Sequence, residues 1–366
     1  MQMQQHFSRP TKRLVQQALG GWRRGFSEAA EREATPVQHE SSNGTQHHTT
    51  SLSSNRAVIR IEGDQGPQFL QGMVSNDVHA IGDPGSSPIY TAMQNPKGKL
   101  LHDPILYLER GGSPLSILME VDVNGKQHAL QWLTRYKLRR PISVTDVSEQ
   151  FSVWVAFGPG APSTPIPEPQ AVGGAWHLDP RLPGLLGLRT LLPAGHKPGS
   201  GLQGAAPSAE AAYRAWRYMH GVPEGEAEMP ADKSEPLLFN LDALHGVSFS
   251  KGCYIGQEKN SFTHYRGVIR RRCMPFKVLI EETGIPRADE DVVVEGSGER
   301  VGTIRGTAVG GFGLVSIKLK PALQAEVGER ALVCKDSGAR IQTYRPQWWP
   351  PEWGREEEEG AAPASS

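Results

Sequence analysis

Gly246-Val247-Ser248-Phe249-Ser250-Lys251-Gly252-Cys253-Tyr254-Ile255-Gly256-Gln257-Glu258 is the stretch on which the reading of this chain turns. Two glycines, Gly252 and Gly256, bracket the thiol of Cys253. Without a Cβ the backbone can turn sharply there and approach a ligand or partner closely. Lys251 and Lys259 flank the thiol, and Arg266 and Arg270 to Arg272 follow. A cationic setting favours thiolate, the form that binds metal and attacks electrophiles. Gln257, Glu258 and the later His264 carry groups able to bond neighbouring backbone or orient a partner group. The same residues also fit a blander reading, with Cys253 as a small buried hydrophobe in a structural turn. Spacing alone leaves both open.

The rest of the composition narrows the chemistry. Cys253, Cys273 and Cys334 are the only cysteines in 366 residues, and none forms a CxxC pair. That set suits a reducing compartment better than a disulfide scaffold. It also cannot supply four thiolates to an iron–sulfur or zinc site from one copy of the chain. A formal net charge of zero argues against a nucleic-acid binder, and the basic run Arg266 to Arg272 suits a solvated surface. No apolar run reaches the roughly 18–20 residues of a membrane-spanning helix.

Outward from the motif toward the N-terminus, residues 1–26 read as a mitochondrial presequence. Arg9, Lys12, Arg13, Arg23 and Arg24 precede the first acid, Glu28, and Leu14, Val15, Ala18, Leu19 and Trp22 form an apolar stripe beside them. Arg24-Gly25-Phe26-Ser27 resembles a matrix-protease site. Residues 27–54 read as a disordered linker, too polar to offset the entropy of ordering. Its His47-His48 pair lacks a third ligand at useful spacing.

Between linker and motif, strands alternate with helices. Ala57 to Glu62 alternates as a strand. Pro67 to Met73 reads as a short helix with proline in its first turn. Tyr90 to Met93 and Leu100 to Leu108 read as strands about the turn Asn95-Pro96-Lys97-Gly98-Lys99, with Pro104 marking an edge or bulge. Asn124 is placed to cap a helix through Leu138, and Ser208 one from Ala209 to His220 that Gly221 and Pro223 end. From Val268 onward short strands and Gly-rich turns predict a small β-barrel or sandwich. The fold class is α+β, with a two-lobed body over 55–270, a barrel over 271–345, and an aromatic segment and acidic tail over 346–366.

The motif, with Thr263-His264 and Gly267-Val268-Ile269-Arg270 after it, resembles the signature of the YgfZ family, a folate-binding-like branch related to the glycine-cleavage aminomethyltransferase. The similarity runs from about Arg56 to Trp349. It takes in Thr134 to Arg140, Asp179-Pro180-Arg181, Tyr213 to Gly225, Asn240 and Trp348-Trp349-Pro350. The resemblance implies an aminomethyltransferase-like body followed by a C-terminal barrel, and a role in maturing [4Fe–4S] proteins in the mitochondrial matrix with A-type iron–sulfur assembly proteins. It makes Cys253 a ligand to a [2Fe–2S] cluster shared with such a partner, within the motif Lys251, Gly252, Cys253, Tyr254, Gly256, Gln257 and Glu258. The alternative it carries is a tetrahydrofolate-dependent aminomethyl transferase. Two departures weigh against that alternative: Leu238-Phe239-Asn240 stands where a carboxylate would meet a pterin, and Lys259-Asn260-Ser261-Phe262 replaces the usual run after the motif. A third reading is a non-catalytic scaffold with a structural thiol.

Overall fold

The computed structural model describes residues 47–81, 87–109, 115–202, 205–279, 284–307 and 309–354. The presequence and most of the linker lie outside these residues. The linker reading fails at its end. His48–Ser51 is a strand, β1, that pairs antiparallel with Trp154 to Phe157 and parallel with Ala206-Pro207. A polar strand held by its neighbours' ladders carries no hydrophobic alternation to betray it.

Arg56–Glu62 forms β2, in which Ala57, Ile59 and Ile61 face one core and Val58 faces another. The chain continues through α1 (Gly66–Gln71), β3 (Ile89–Tyr90), β4 (Met93–Gln94), β5 (Leu100–His102), β6 (Ile105–Glu109), β7 (Ser116–Asp122), α2 (Lys126–Lys137) and β8 (Ser143–Asp146). Five strands make a sheet in the order β3-β6-β7-β2-β8. Phe69 and Leu70 of α1 and Leu133 of α2 pack with Ile59, Ile61 and Met119 of that sheet. The strand read across Leu100 to Leu108 is broken at Asp103-Pro104, since proline has no N–H for a ladder. β5 therefore pairs with β4, while β6 joins the larger sheet. Asn124 does not cap α2. Gly125 precedes that helix, and the Asn124 amide donates to Asp122 Oδ1 at 2.7 Å.

A second, six-stranded sheet takes in β1 with β9 (Phe151–Phe157), β10 (Ile166–Pro167), β11 (Ala175–Leu178), β12 (Leu188–Pro193) and β13 (Ala206–Pro207). Helix α3 (Glu210–Met219) follows. Ala209, not Ser208, stands at its N-cap, without a side-chain bond. Gly221 beyond it has φ +71, as a left-handed helix stop requires.

The space between the two sheets holds ions. Arg56, Arg181, Arg189 and Arg217 face Asp103, Glu120, Asp179, Glu224 and Glu228 in one buried network. Burial raises the Glu224 carboxyl, but Arg189, Arg181 and Arg217 outweigh it and hold the group well below the usual range. Asp103 is the exception. Burial pushes it up to about 6, because Arg56 lies 3.7 Å away and is shared with Glu120.

After α4 (Gln257–Arg266) the strands β14 (Arg271–Val278), β15 (Asp291–Val294), β16 (Arg300–Thr307), β17 (Phe312–Lys318), β18 (Leu332–Cys334) and β19 (Arg340–Thr343) close into a barrel. A helix, α5 (Leu319–Glu326), sits between β17 and β18 where only strands were read. Trp349 and Trp353 join the barrel core, and the Trp353 ring lies 3.1 Å from the Arg272 guanidinium. The indole of Trp348 donates to the His220 carbonyl at 2.8 Å, tying the C-terminal segment to the body.

Candidate functional site

The motif loop lies along residues 71–76, the segment that follows α1. Ser248 N donates to Ser75 O at 2.9 Å, and Ile255 N donates to Gly72 O at 3.1 Å. Lys251 runs inward between these anchors. Its ammonium donates to the carbonyls of Gln71 and Val74 at 2.7 Å and of Asn76 at 2.9 Å. The Gln71 carbonyl is one that the end of α1 leaves unpaired, and those of Val74 and Asn76 belong to the loop beyond it. Burial pushes the ammonium down to about 8. The three acceptors oppose that shift, since only the charged form has three N–H donors. Lys251 is thus a pin for the loop and not a loose cation beside the sulfur, as its spacing suggested.

Tyr254 is the second pin. Its ring is buried 5.0 Å from the Lys251 ammonium, and its hydroxyl accepts from Asn260 Nδ2 at 3.1 Å. Asn260 also donates to Gln94 Oε1 at 3.0 Å, and Gln94 donates to the Gly98 carbonyl at 2.9 Å. Sequence reading missed this relay, because its members lie 166 positions apart. Gly256 closes it. Its φ is +86, and a Cβ there would meet the Asn95 carbonyl at 2.7 Å.

Between the two pins, Gly252 and Cys253 are exposed. Cys253 is the exposed cysteine, whereas Cys273 and Cys334 are fully buried in barrel strands. Burial pushes the Cys273 thiol up beyond reach of ionisation at neutral pH, and the Cys334 thiol up to about 12. The bland reading of Cys253 as a buried hydrophobe therefore fails. The two glycines differ in role. A Cβ at Gly252 would meet nothing within 4 Å, so that position is open space beside the sulfur and not a forced turn.

The cations divide as well. Arg272 is buried in a bidentate pair with Asp242, both bonds 2.9 Å. Lys259, Arg266 and Arg270 remain on the surface, Lys259 with its ammonium 3.7 Å from Glu235. Gln257 and Glu258 open α4, where the negative charge of Glu258 suits the helix N-terminus. His264 stacks on Phe249, ring centroids 3.7 Å apart and planes 13° apart, and Tyr265 meets both rings edge-on. Helix α4 itself was not read from the sequence. Asn260 is its one buried residue, so it has no apolar stripe to find. Of the two departures, Leu238 packs partly buried on the body core, and the second places Asn260 and Phe262 on α4. Among the described residues, no group of three or more His, Cys, Asp or Glu side chains is arranged to hold a metal ion.

Residues 270–351 match the model of the C-terminal β-barrel domain of CAF17. The mitochondrial iron–sulfur cluster assembly factor IBA57 of Homo sapiens is 33% identical over 313 residues, covering 81% of this chain and 83% of that protein. The mitochondrial IBA57 homolog of Mycosarcoma maydis is 31% identical over 246 residues, which is 65% of this chain and 59% of that longer protein. Among solved structures, aminomethyltransferase T of the glycine cleavage system from Bartonella henselae superposes with a TM-score of 0.62 over 83% of this chain and 87% of that one. At 15% identity that likeness is one of fold, and it gives the body its aminomethyltransferase-like architecture.

Proposed function

The chain belongs to the IBA57 family of mitochondrial iron–sulfur cluster assembly factors, and from that membership and its one exposed thiol we propose that it carries part of a cluster between proteins in the matrix. Cys253 gives one thiolate to an iron of a [2Fe–2S] cluster, which is cargo and not a resident cofactor. Cluster irons held by cysteine need four thiolates, and Cys273 and Cys334 are sealed in the barrel. An A-type assembly protein supplies the rest, so cluster binding and complex formation are one event. Fusion of two such clusters, with two electrons taken from an external reductant, yields the [4Fe–4S] centres of client proteins. The observation that carries this reading is the placement of Cys253 and Gly252: exposed, with open space beside them, on a loop fixed at Lys251 and Tyr254.

Pinning matters because a metal ligand must be presented without reordering the loop that bears it. The competing reading, tetrahydrofolate-dependent aminomethyl transfer, needs a carboxylate free to meet a pterin. Glu120, Asp179, Glu224 and Glu228 are instead each bonded to a guanidinium, and Asp103, 3.7 Å from the Arg56 guanidinium, accepts from Gly225 N at 3.0 Å. The test is complementation. Cells lacking the chain should regain aconitase activity with the native sequence and not with Cys253→Ser. Full rescue by Cys253→Ser would sink the ligand assignment.

A further inference from the structure

The outer wall of the barrel gathers cations, and one of them has no counter-charge. Strands β14, β17 and β16 lie side by side there, with Cys273 opposite Ser316 and Ser316 opposite Thr303. Met274, Val315 and Ile304, one residue along each strand, face the barrel core, so this row faces outward. Cys273 and Leu314 of the same wall pack into the core of the body, which puts the row at the seam between barrel and body. Arg271 shares the face of Cys273, two residues before it, and lies directly opposite Lys318. Like charges opposite one another destabilise a strand pair. Lys318 is relieved by Glu299 at 3.0 Å, Arg300 by Asp291 at 2.6 Å and Arg305 by Asp289 at 2.8 Å. Among the described residues no carboxylate pairs with half-buried Arg271. Its guanidinium makes one long bond, to the Ser316 carbonyl at 3.5 Å. Burial lowers its pKa, and the charges of Arg300 and Arg305 lower it further.

Uncommitted donors lie beside that guanidinium. Ser316 is 8% exposed, and among the described residues its hydroxyl has no hydrogen-bond partner. Thr303 is 6% exposed, and its hydroxyl oxygen accepts from Arg300 Nη2 at 2.9 Å, which leaves its own proton to give. Arg305 sits at the register shift beyond Thr303, and its Nε is buried without a partner. Buried donors are ordinarily satisfied, by protein or by a bound species. Water would satisfy the donors here but leave the charge of Arg271 unbalanced. A carboxylate brings two oxygens and one charge. A phosphoryl group brings three or more acceptor oxygens and up to two charges, and guanidinium forks match its geometry. We propose that Arg271, Arg305, Thr303 and Ser316 form a binding site for a phosphoryl group on the outer wall of the barrel. The site is separate from the Cys253 loop and does not depend on the cluster reading.

The test is phosphate binding by the full chain at constant ionic strength, so that screening does not mimic occupancy. Inorganic phosphate is exchanged for chloride, and binding is read by calorimetry and by the unfolding midpoint, which a ligand of the folded state raises. The native chain should bind saturably. Arg271→Gln should weaken binding by about tenfold or more, and Ser316→Ala by about tenfold, the size of a lost bond to a charged group. Without phosphate, Arg271→Gln should unfold no earlier than the native chain, because it relieves facing cations. Arg139→Gln, at an exposed cation just beyond α2, should bind within about twofold of native. Glycerol phosphate separates the two sources of the group. Displacement of inorganic phosphate at lower concentration assigns an ester, and displacement only at higher concentration assigns the free ion; either supports the site if Arg271→Gln removes it. Three results overturn the site: no saturable binding by the native chain, native affinity in both Arg271→Gln and Ser316→Ala, or a loss in Arg139→Gln as large as in Arg271→Gln. Acetate competing as well as glycerol phosphate overturns the phosphoryl assignment.

Discussion

Replacing Lys251 by methionine asks whether the motif loop is held as described. Methionine keeps an apolar stem of similar reach and removes every donor. Three carbonyls lose their partner: Val74 O in a buried bond, Gln71 O and Asn76 O in partly buried ones that water can reach. A bond to a charged donor contributes about 1.5–3 kcal/mol, and an abandoned buried acceptor costs about 1–3 kcal/mol. Relief of the ammonium's desolvation, which lowers its pKa to about 8, offsets part of this. The net loss is then about 2–4 kcal/mol, most of it from Val74 O, or roughly 3–6 °C in unfolding temperature for a chain of this length. The assay is urea unfolding followed by near-ultraviolet dichroism, where the midpoint should fall with an unchanged slope. Alkylation of Cys253 should quicken in parallel, because its loop has lost one of two pins. A loss below about 0.5 kcal/mol, the size of a neutral surface change, refutes the pin.

Gly256→Ala should cost about 2 kcal/mol or more, combining left-handed strain with a 2.7 Å approach to the Asn95 carbonyl, whereas Gly252→Ala should stay within about 0.5 kcal/mol; paired chemical denaturation checks both. Asp103 carries a folded pKa of about 6, raised above its unfolded value near 3.9. Its contribution is full below the unfolded value and is lost as pH rises through 6. Asp103→Asn should therefore gain stability relative to the native chain between about pH 4 and pH 7, and a flat difference across that range would refute the assignment. Trp353→Ala removes a ring from the barrel core and from the Arg272 guanidinium, and should lower the barrel's stability by about 3 kcal/mol or more, read by hydrogen exchange in β14 and β19.

What the sequence disclosed depended on what each residue interacts with. The two-part architecture was legible because the body and the barrel carry ordinary alternation and Gly-rich turns. β1 was not, because Thr49 and Thr50 are strand residues only when Val155 and Ala156 lie beside them. Helix α4 was hidden for the opposite reason: it buries one asparagine and nothing apolar. At the site, Cys253 stood out through its glycines, but the roles of those glycines were not equal: the left-handed φ of Gly256 and its approach to the Asn95 carbonyl separate them. Lys251 looked like an electrostatic neighbour, since a linear sequence cannot show three carbonyls converging from positions 71–76. The ionic layer between the sheets was equally invisible. Arg189 and Glu120 become partners only once the two sheets are packed together.

The central claim is that Cys253 is one ligand of a cluster whose others come from a partner. The chain and an A-type assembly protein, mixed anaerobically with iron and sulfide, should give a heterodimer with visible cluster absorption. Cys253→Ser in the same mixture should give no cluster on the heterodimer. A Cys253→Ser heterodimer that carries the same cluster at the same occupancy contradicts the account.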